Sequence, residues 1–313
     1  MREKRFSIIG SYQSKNKVEK VAKIIFIICA LFAVVAVFSI SIYMIISGTP
    51  AVYKVGLKEI LFGTVWQPTA EEPRFGILYV ILTSIIGTTL AILIGMPIGV
   101  LTAVFLAETA QKRLASIVKP AVELLAGIPS VVYGLLGILV LNPIIYKLEI
   151  AIFQDDPKHH FTGGSNLLSA VLVLAIMILP TVINISEASL KAVPKHYKQA
   201  SLALGATHMQ TIFKILLPAA KSGIVTAIVL GVGRAIGEAM AISLVAGNGA
   251  NIPFLFNSVR FLTTAVVTEM SYAADIHKDV LFTIGLVLFA FIIMINLILS
   301  KVMKGGYRDA DSE

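Results

Sequence analysis

The sequence predicts an all-α polytopic membrane protein that crosses the bilayer about six times. Three observations carry that prediction: the composition, the length of the uncharged runs, and the placement of the charges between them. Of 313 residues, 57% are hydrophobic and 14% are charged. Soluble domains are nearer ~45–50% apolar and ~25% charged. A larger soluble core would not shift both values at once, and the mean hydropathy of +0.88 agrees. The uncharged runs have the ~20-residue length that a helix needs to cross ~30 Å of hydrocarbon.

Residues 1–23 form a basic tail carrying Arg2, Lys4, Arg5, Lys15, Lys17, Lys20 and Lys23. The uncharged run over 24–47 is longer than the ~7–15-residue core of a signal peptide and lacks a small-residue cleavage site, so it is expected to remain as the first span. Residues 48–74 read as an extracytoplasmic loop. Phe75–Ala107 exceeds one straight crossing, and Gly95-Met96-Pro97-Ile98-Gly99 in its second half predicts a single kinked or tilted span. Further spans are expected near Pro120–Ile145, Leu167–Ile185, Ser222–Ala246 and Val280–Ser300. Ile252–Tyr272 is half apolar but contains Arg260 and Glu269, so it is expected to be a surface or re-entrant helix. The tail over 302–313 ends the chain.

The connecting segments predict an orientation. With the N-terminus in the cytoplasm, the same side receives Lys112, Arg113, Lys119, Lys191, Lys195, Lys198, Lys214, Lys221, Lys301, Lys304 and Arg308. The other side holds fewer cations and most of the carboxylates, among them Glu71, Glu72, Asp155 and Asp156. This obeys the positive-inside rule and places both termini in the cytoplasm. The net charge of +8 is therefore read as an orientation signal rather than as a nucleic-acid footprint.

Several chemistries find no support. Cys29 is the single cysteine, so neither an intrachain disulfide nor a thiolate metal site can be built. His159 and His160 adjoin in a turn-like stretch, Gln154–Ser165, but neighbours on a loop rarely converge on one metal ion, and a solvated loop is expected. Ala220-Lys221-Ser222-Gly223 lacks the preceding glycines of a phosphate-gripping loop, and no hydrolytic triad or zinc helix is present. The chain is expected to be no enzyme and to hold no cofactor.

Three segments carry the functional signal. The first is the cytoplasmic stretch Tyr197-Lys198-Gln199-Ala200-Ser201-Leu202-Ala203-Leu204-Gly205, followed after nine residues by Ile215-Leu216-Leu217-Pro218. Pro194 offers a helix start and Gly205 a stop, and a second helix is expected from His208 to Leu216, ending before Pro218. Read from the residues alone, this is either a protein-docking helix–turn–helix or a basic connector lying on anionic lipid.

The second segment is Gly231-Val232-Gly233-Arg234-Ala235-Ile236-Gly237-Glu238. Arg234 lies about 18 Å beyond Ser222 along a helix, near the midplane, with Glu238 expected one turn later on the same face. A charge there costs at least ~2.5–3.5 kcal/mol, which makes the pair a functional candidate. A structural ion pair, an anion contact and a gating switch all remain open, because Glu238 would repel an anion that Arg234 attracts. The third segment is Ala126-Gly127-Ile128-Pro129-Ser130-Val131-Val132-Tyr133-Gly134, where Gly127, Pro129 and Ser130 predict a break within the third span. Such breaks persist only where protein or a water-filled path satisfies the freed backbone. Glu123 is expected to snorkel to the cytoplasmic interface near Lys119.

Together these segments resemble, in order and spacing over about residues 70–304, the phosphate-specific ABC import permeases, and among them the PstC type. The 194–218 stretch resembles the EAA loop that docks on the ATPase, with Gln199 standing where the motif has its leading glutamate. The resemblance implies a type I ABC importer permease core over 75–301. It also implies a sister permease (PstA), a dimeric ATPase (PstB) holding ATP and Mg²⁺, and an extracytoplasmic phosphate-binding protein (PstS) in a bacterial or archaeal cell membrane. Arg234 and Glu238 match the family's charged pair in the translocation path. Gln199, Ala200, Ser201, Gly205, Ile215, Leu217 and Pro218 match its coupling element. A PstA-type subunit and a sulfate or molybdate permease are the near alternatives, and Val132-Tyr133-Gly134 with the basic tail favours PstC. An ion-coupled secondary phosphate transporter would be expected to show inverted repeats, and none is visible.

Overall fold

The computed structural model describes the backbone of residues 12–308 and the side chains of residues 19–298. Arg2, Lys4 and Arg5 of the expected N-terminal tail, and residues 309–313 of the C-terminal one, lie outside the described residues. Helices dominate. They are α1 (Tyr12–Val55), α2 (Leu57–Phe62), α3 (Leu78–Val104), α4 (Lys112–Gly127), α5 (Ser130–Leu136), α6 (Asn142–Phe153), α7 (Leu167–Ala192), α8 (Lys195–Ala203), α9 (His208–Thr211), α10 (Leu217–Ala219), α11 (Lys221–Gly237), α12 (Met240–Val245), α13 (Leu262–Glu269) and α14 (Asp275–Arg308). Wider π-helical turns extend or join them at Phe105–Thr109, Gly137–Leu141 and Ile212–Leu216. A two-strand antiparallel ribbon pairs β1 (Trp66–Gln67) with β2 (Arg74–Phe75).

Five helical stretches are long and apolar enough to span: Glu19–Val55, Leu78–Thr109, Ser130–Phe153, Leu167–Ala192 and Asp275–Ile298. A sixth is the bent pair His208–Ala219 and Lys221–Gly237, turned by 69° at its break. The expected number of spans is therefore met, but several boundaries move. The first helix runs through to Val55 instead of ending near Ser47. The third span is displaced toward the C-terminus: Pro120–Gly127 belongs to a separate amphipathic helix, α4, and the span proper begins at Ser130. Hydropathy does not separate the two, because the apolar face of α4 runs straight into the span. Pro218 does not end the second helix of the 194–218 segment; it sits at the first turn of α10, where proline costs no hydrogen bond.

The expected fifth span does not continue to Ala246. Its helix stops at Gly237, and Glu238 is extended at φ −73°, ψ 130° before α12 begins. The stretch after α12 is not one helix either. Residues 246–261 form a loop, and only Leu262–Glu269 is helical.

α7 is the hub. Of its most apolar stretch 61% is buried, against none of that of α1, which leans mainly on α14 at the rim. Lipid offers no hydrophobic drive between helices, so close van der Waals packing has to hold the bundle. The glycines of α3 provide it: a Cβ on Gly95 would lie 2.7 Å from Ile178, and one on Gly99 2.7 Å from Val182. Gly231 of α11 faces the same Val182, so α3, α7 and α11 meet along one seam. At the rim, Thr283 of α14 donates to the Gly48 carbonyl of α1 at 3.0 Å.

The end of the bundle bearing Lys112, Lys119, Lys191, Lys198 and Lys214 is termed the basic face, and the end bearing the ribbon, the 246–261 loop and α13 the opposite face.

Candidate functional site

Two helix breaks precede the short helices α5 and α12. In the first, Ile128 and Pro129 are extended (ψ 127° and 141°) between α4 and α5. Gly127-Ile128-Pro129-Ser130 thus forms the expected break, at the entry to the third span rather than inside it. Pro129 cannot donate a backbone hydrogen bond, and its ring disfavours helical geometry in the residue before it. The phenol of Tyr133 donates to the Leu125 carbonyl at 2.7 Å, satisfying an acceptor in the last turn of α4.

The second break is at Glu238 and Ala239, between α11 and α12. No proline causes it. Glu238 Oε1 accepts from the Ala241 amide at 3.1 Å, and the Glu238 carbonyl accepts from Thr263 Oγ1 at 2.7 Å. A carboxylate that meets the free amides at the start of α12 is also favoured by the helix dipole. After their breaks α5 and α12 pack on one another: Tyr133, Ala241, Ile242 and Val245 share one buried cluster with α7.

This geometry corrects the expected Arg234–Glu238 pair. The helix carrying Arg234 ends before Glu238, so the spacing of one turn does not apply, and no ion pair joins them. Glu238 is engaged in shaping the break. Arg234 is half-buried in the last turn of α11, within electrostatic reach of the Tyr133 phenol, and no ion pair closes on it among the described residues. Gly127, Gly233 and Gly237 face open space, with no atom of this chain within 4 Å of a would-be Cβ. These last two glycines therefore make no close helix packing inside the chain. The result is a half-buried guanidinium one turn before the second break, with open space at the neighbouring Gly233 and Gly237.

The 194–218 segment folds as a compact arm on the basic face. Pro194 precedes α8, and Gly205 ends its turn at φ +86°, a left-handed conformation that favours glycine. Thr207 and Gln210 form a reciprocal capping box at the start of α9. Ser201 and Thr211 hydroxyls meet at 2.9 Å between the two arms of the turn. Gln199, Ala200, Leu204 and Gly205 are exposed, and so are Ile215 and Pro218. Ser201 and Leu217 are half-buried, and Ile212 and Leu216 anchor the arm to Ala103, Val104 and Leu190.

Sequence reasoning missed a set of buried carboxylates. Glu187, near the end of α7, meets Lys191 at 2.5 Å and Lys119 of α4 at 3.5 Å. Glu149 of α6 is fully buried and gathers His159 Nε2 at 2.9 Å and the Thr162 amide at 2.9 Å. His159 stacks on Phe153 with ring centres 4.0 Å apart, so the loop, exposed over Gln154–Lys158 as expected, is also tied down at His159. Glu269 of α13 is held by Arg260, by His277 Nε2 at 2.7 Å and by Trp66 Nε1 at 3.0 Å. A carboxylate next to an apolar run was the available signal; apart from Lys191, one turn after Glu187, the partners lie 8 to 203 residues away in sequence.

The family described as "Binding-protein-dependent transport system inner membrane component" matches residues 95–304. A probable ABC transporter permease of Bacillus subtilis is 37% identical, with 94% of this chain and 95% of that protein covered. The phosphate transport system permease PstC of Haemophilus influenzae is 31% identical, with 93% and 95% covered. A probable phosphate transport system permease PstC of Methanocaldococcus jannaschii is 30% identical, with 86% and 89% covered. Among solved structures, a chain of a bacterial alginate ABC transporter superposes with a TM-score of 0.65 over 93% of this chain and 96% of that one, at 13% identity, a likeness of fold. By the span of the family match and the extent of these relatives, the chain belongs to the inner-membrane permease components of binding-protein-dependent transport systems.

Proposed function

We propose that this chain is the PstC-type permease subunit of an ATP-driven phosphate importer and forms half of its translocation pathway. The observation that carries the reading is the Arg234 guanidinium, with no ion pair among the described residues, one turn before the second break and with open space at the neighbouring Gly233 and Gly237. An arginine fork matches two oxygens of a tetrahedral oxyanion and stays charged at any physiological pH. Relatives named as phosphate permeases at 30–31% identity over most of their length support phosphate as the solute. In this reading Arg234 meets the anion as it passes, and Glu238 acts by shaping the neighbouring backbone rather than by pairing with Arg234.

The basic face lies in the cytoplasm, by the positive-inside rule, and both termini lie there too. The open space at Gly233 and Gly237 receives the sister permease, PstA. The arm around Gln199–Gly205 docks on the PstB ATPase dimer, which supplies ATP and Mg²⁺, and PstS delivers phosphate to the opposite face. Closure of the ATPase dimer displaces the arm and turns the path outward; hydrolysis resets it. This chain contributes no ATP site of its own.

The test is reconstitution with the three partners in proteoliposomes. Arg234→Gln is expected to abolish phosphate uptake while the complex still assembles, and persistent uptake would return Arg234 to a structural role. Gln199→Pro or Gly205→Leu is expected to remove the phosphate-stimulated part of ATP hydrolysis while insertion is normal. Stimulation by a sulfate-loaded binding protein, with none by the phosphate-loaded one, would reassign the solute.

A further inference from the structure

The arm on the basic face is attached to the bundle through the chain itself at two points, and both are weak levers. On one side Val193 and Pro194 are extended (ψ 129° and 132°) between α7 and α8. On the other, the helix that includes α9 and α10 bends by 69° into α11. A displacement of the arm that travelled only along the chain would have to pass through one of these non-helical joints, where backbone torsion absorbs it.

A third attachment bypasses both joints. The π-helical turn Phe105–Thr109 ends the second span, and it carries Glu108, whose side chain is only 11% exposed. Glu108 Oε2 meets Lys198 Nζ of α8 at 2.5 Å, and the Glu108 carbonyl lies 3.3 Å from His208 Nε2 at the start of α9. One residue thus holds both short helices of the arm, from either side of the Gly205 turn. The apolar contacts of Ala103 and Val104 with Ile212 and Leu216 lie under it. A π-helical turn inserts an extra residue into the helix and so changes which way its side chains point, and such turns are frequent at functional positions.

We propose that Glu108, with Lys198 and His208, is a positioning clasp that makes the arm and the second span one moving body. The inference rests on the arm being the coupling element. Through Gly95 and Gly99 the second span is in close contact with α7, so the clasp passes arm displacement to the seam that α11 also joins. Neither Glu108 nor Lys198 touches the solute path in this arrangement. Their part is to set how much of the arm's movement reaches it.

The test is a charge exchange in the reconstituted complex, scored as phosphate taken up per ATP hydrolysed. Glu108→Lys and Lys198→Glu are each expected to lower that ratio about tenfold, within the range of coupling lost along such networks, with basal ATP hydrolysis retained. The double exchange is expected to restore the ratio to within about twofold of the parent, as reciprocal pairing requires. Single variants that match the parent overturn the proposal, and so does a double exchange that fails to recover. A second measurement serves if the exchanged variants do not assemble. In a Cys29→Ala background, Glu108→Cys and Lys198→Cys are combined and joined by a bifunctional thiol reagent, and uptake is compared before and after joining. Retained uptake supports one moving body; loss of uptake means that the contact must open, and overturns it. Gly205→Leu, measured in parallel, reports on the arm itself. Normal uptake there discards the coupling-arm reading, whereas loss there with parental behaviour in the clasp variants discards only the clasp.

Discussion

The two faces of the bundle both use carboxylates to join segments distant in sequence, but they use them differently. On the opposite face Glu149 and Glu269 are at most 3% exposed, and each gathers several donors: an imidazole and a threonine for one, an imidazole, an indole and a guanidinium for the other. On the basic face the side chain of Glu187 is nearly as deep and that of Glu108 is 11% exposed, and the lysine side chains that meet them are 35% to 52% exposed. A buried charge with many partners holds one geometry. A lysine in water can leave its partner and return at little cost. The opposite face is therefore built as a fixed platform, and the basic face as a set of adjustable fastenings.

That contrast can be broken by substitution. The largest expected effect is at Glu269: Glu269→Ala leaves Arg260 charged without its acid and should lower stability by about 3–5 kcal/mol. The measurement is the unfolding midpoint in mixed micelles, and a loss under about 1 kcal/mol would put this knot with the basic-face pairs. Glu149→Ala is expected next, at about 1–3 kcal/mol, because the Thr162 amide loses its acceptor inside a dry contact. Faster proteolysis of the 154–165 loop should accompany it. Lys191→Ala should cost less than about 1 kcal/mol, since its side chain is 52% exposed and Lys119 still faces Glu187. A larger loss there would erase the distinction between the faces.

Much of this was legible in the sequence, and the limits are physical. The apolar runs announce spans because the bilayer sets their length, and Leu78–Thr109, Leu167–Ala192 and Asp275–Ile298 stand close to where hydropathy puts them. Pro129 and Gly127 announce the first break for the same local reasons that cause it. The second break is silent: Gly237-Glu238-Ala239 contains no proline, and the carbonyl freed at Glu238 is satisfied by Thr263, 25 residues further on. A helix periodicity argument therefore paired Arg234 with Glu238, and tertiary contacts undid it. The shape of the 194–218 arm was legible because Pro194 and Gly205 are local signals; the Thr207–Gln210 box that caps its second helix is equally local but was not read from the sequence. The knots at Glu149 and Glu269, and the reach of Lys119 to Glu187, were not, because a carboxylate announces itself in sequence but its distant partners do not.

The arm has one further consequence. Its turn is set by a left-handed glycine, its second helix is capped at both Thr207 and Gln210, and a hydroxyl pair ties its halves together. A protein that meets this arm meets a finished surface, with no segment left to order on contact. Association then avoids the ordering entropy that flexible docking peptides lose on binding. A stiff projection of this kind keeps its own shape under load, so any give lies at the joints on either side of it rather than within it.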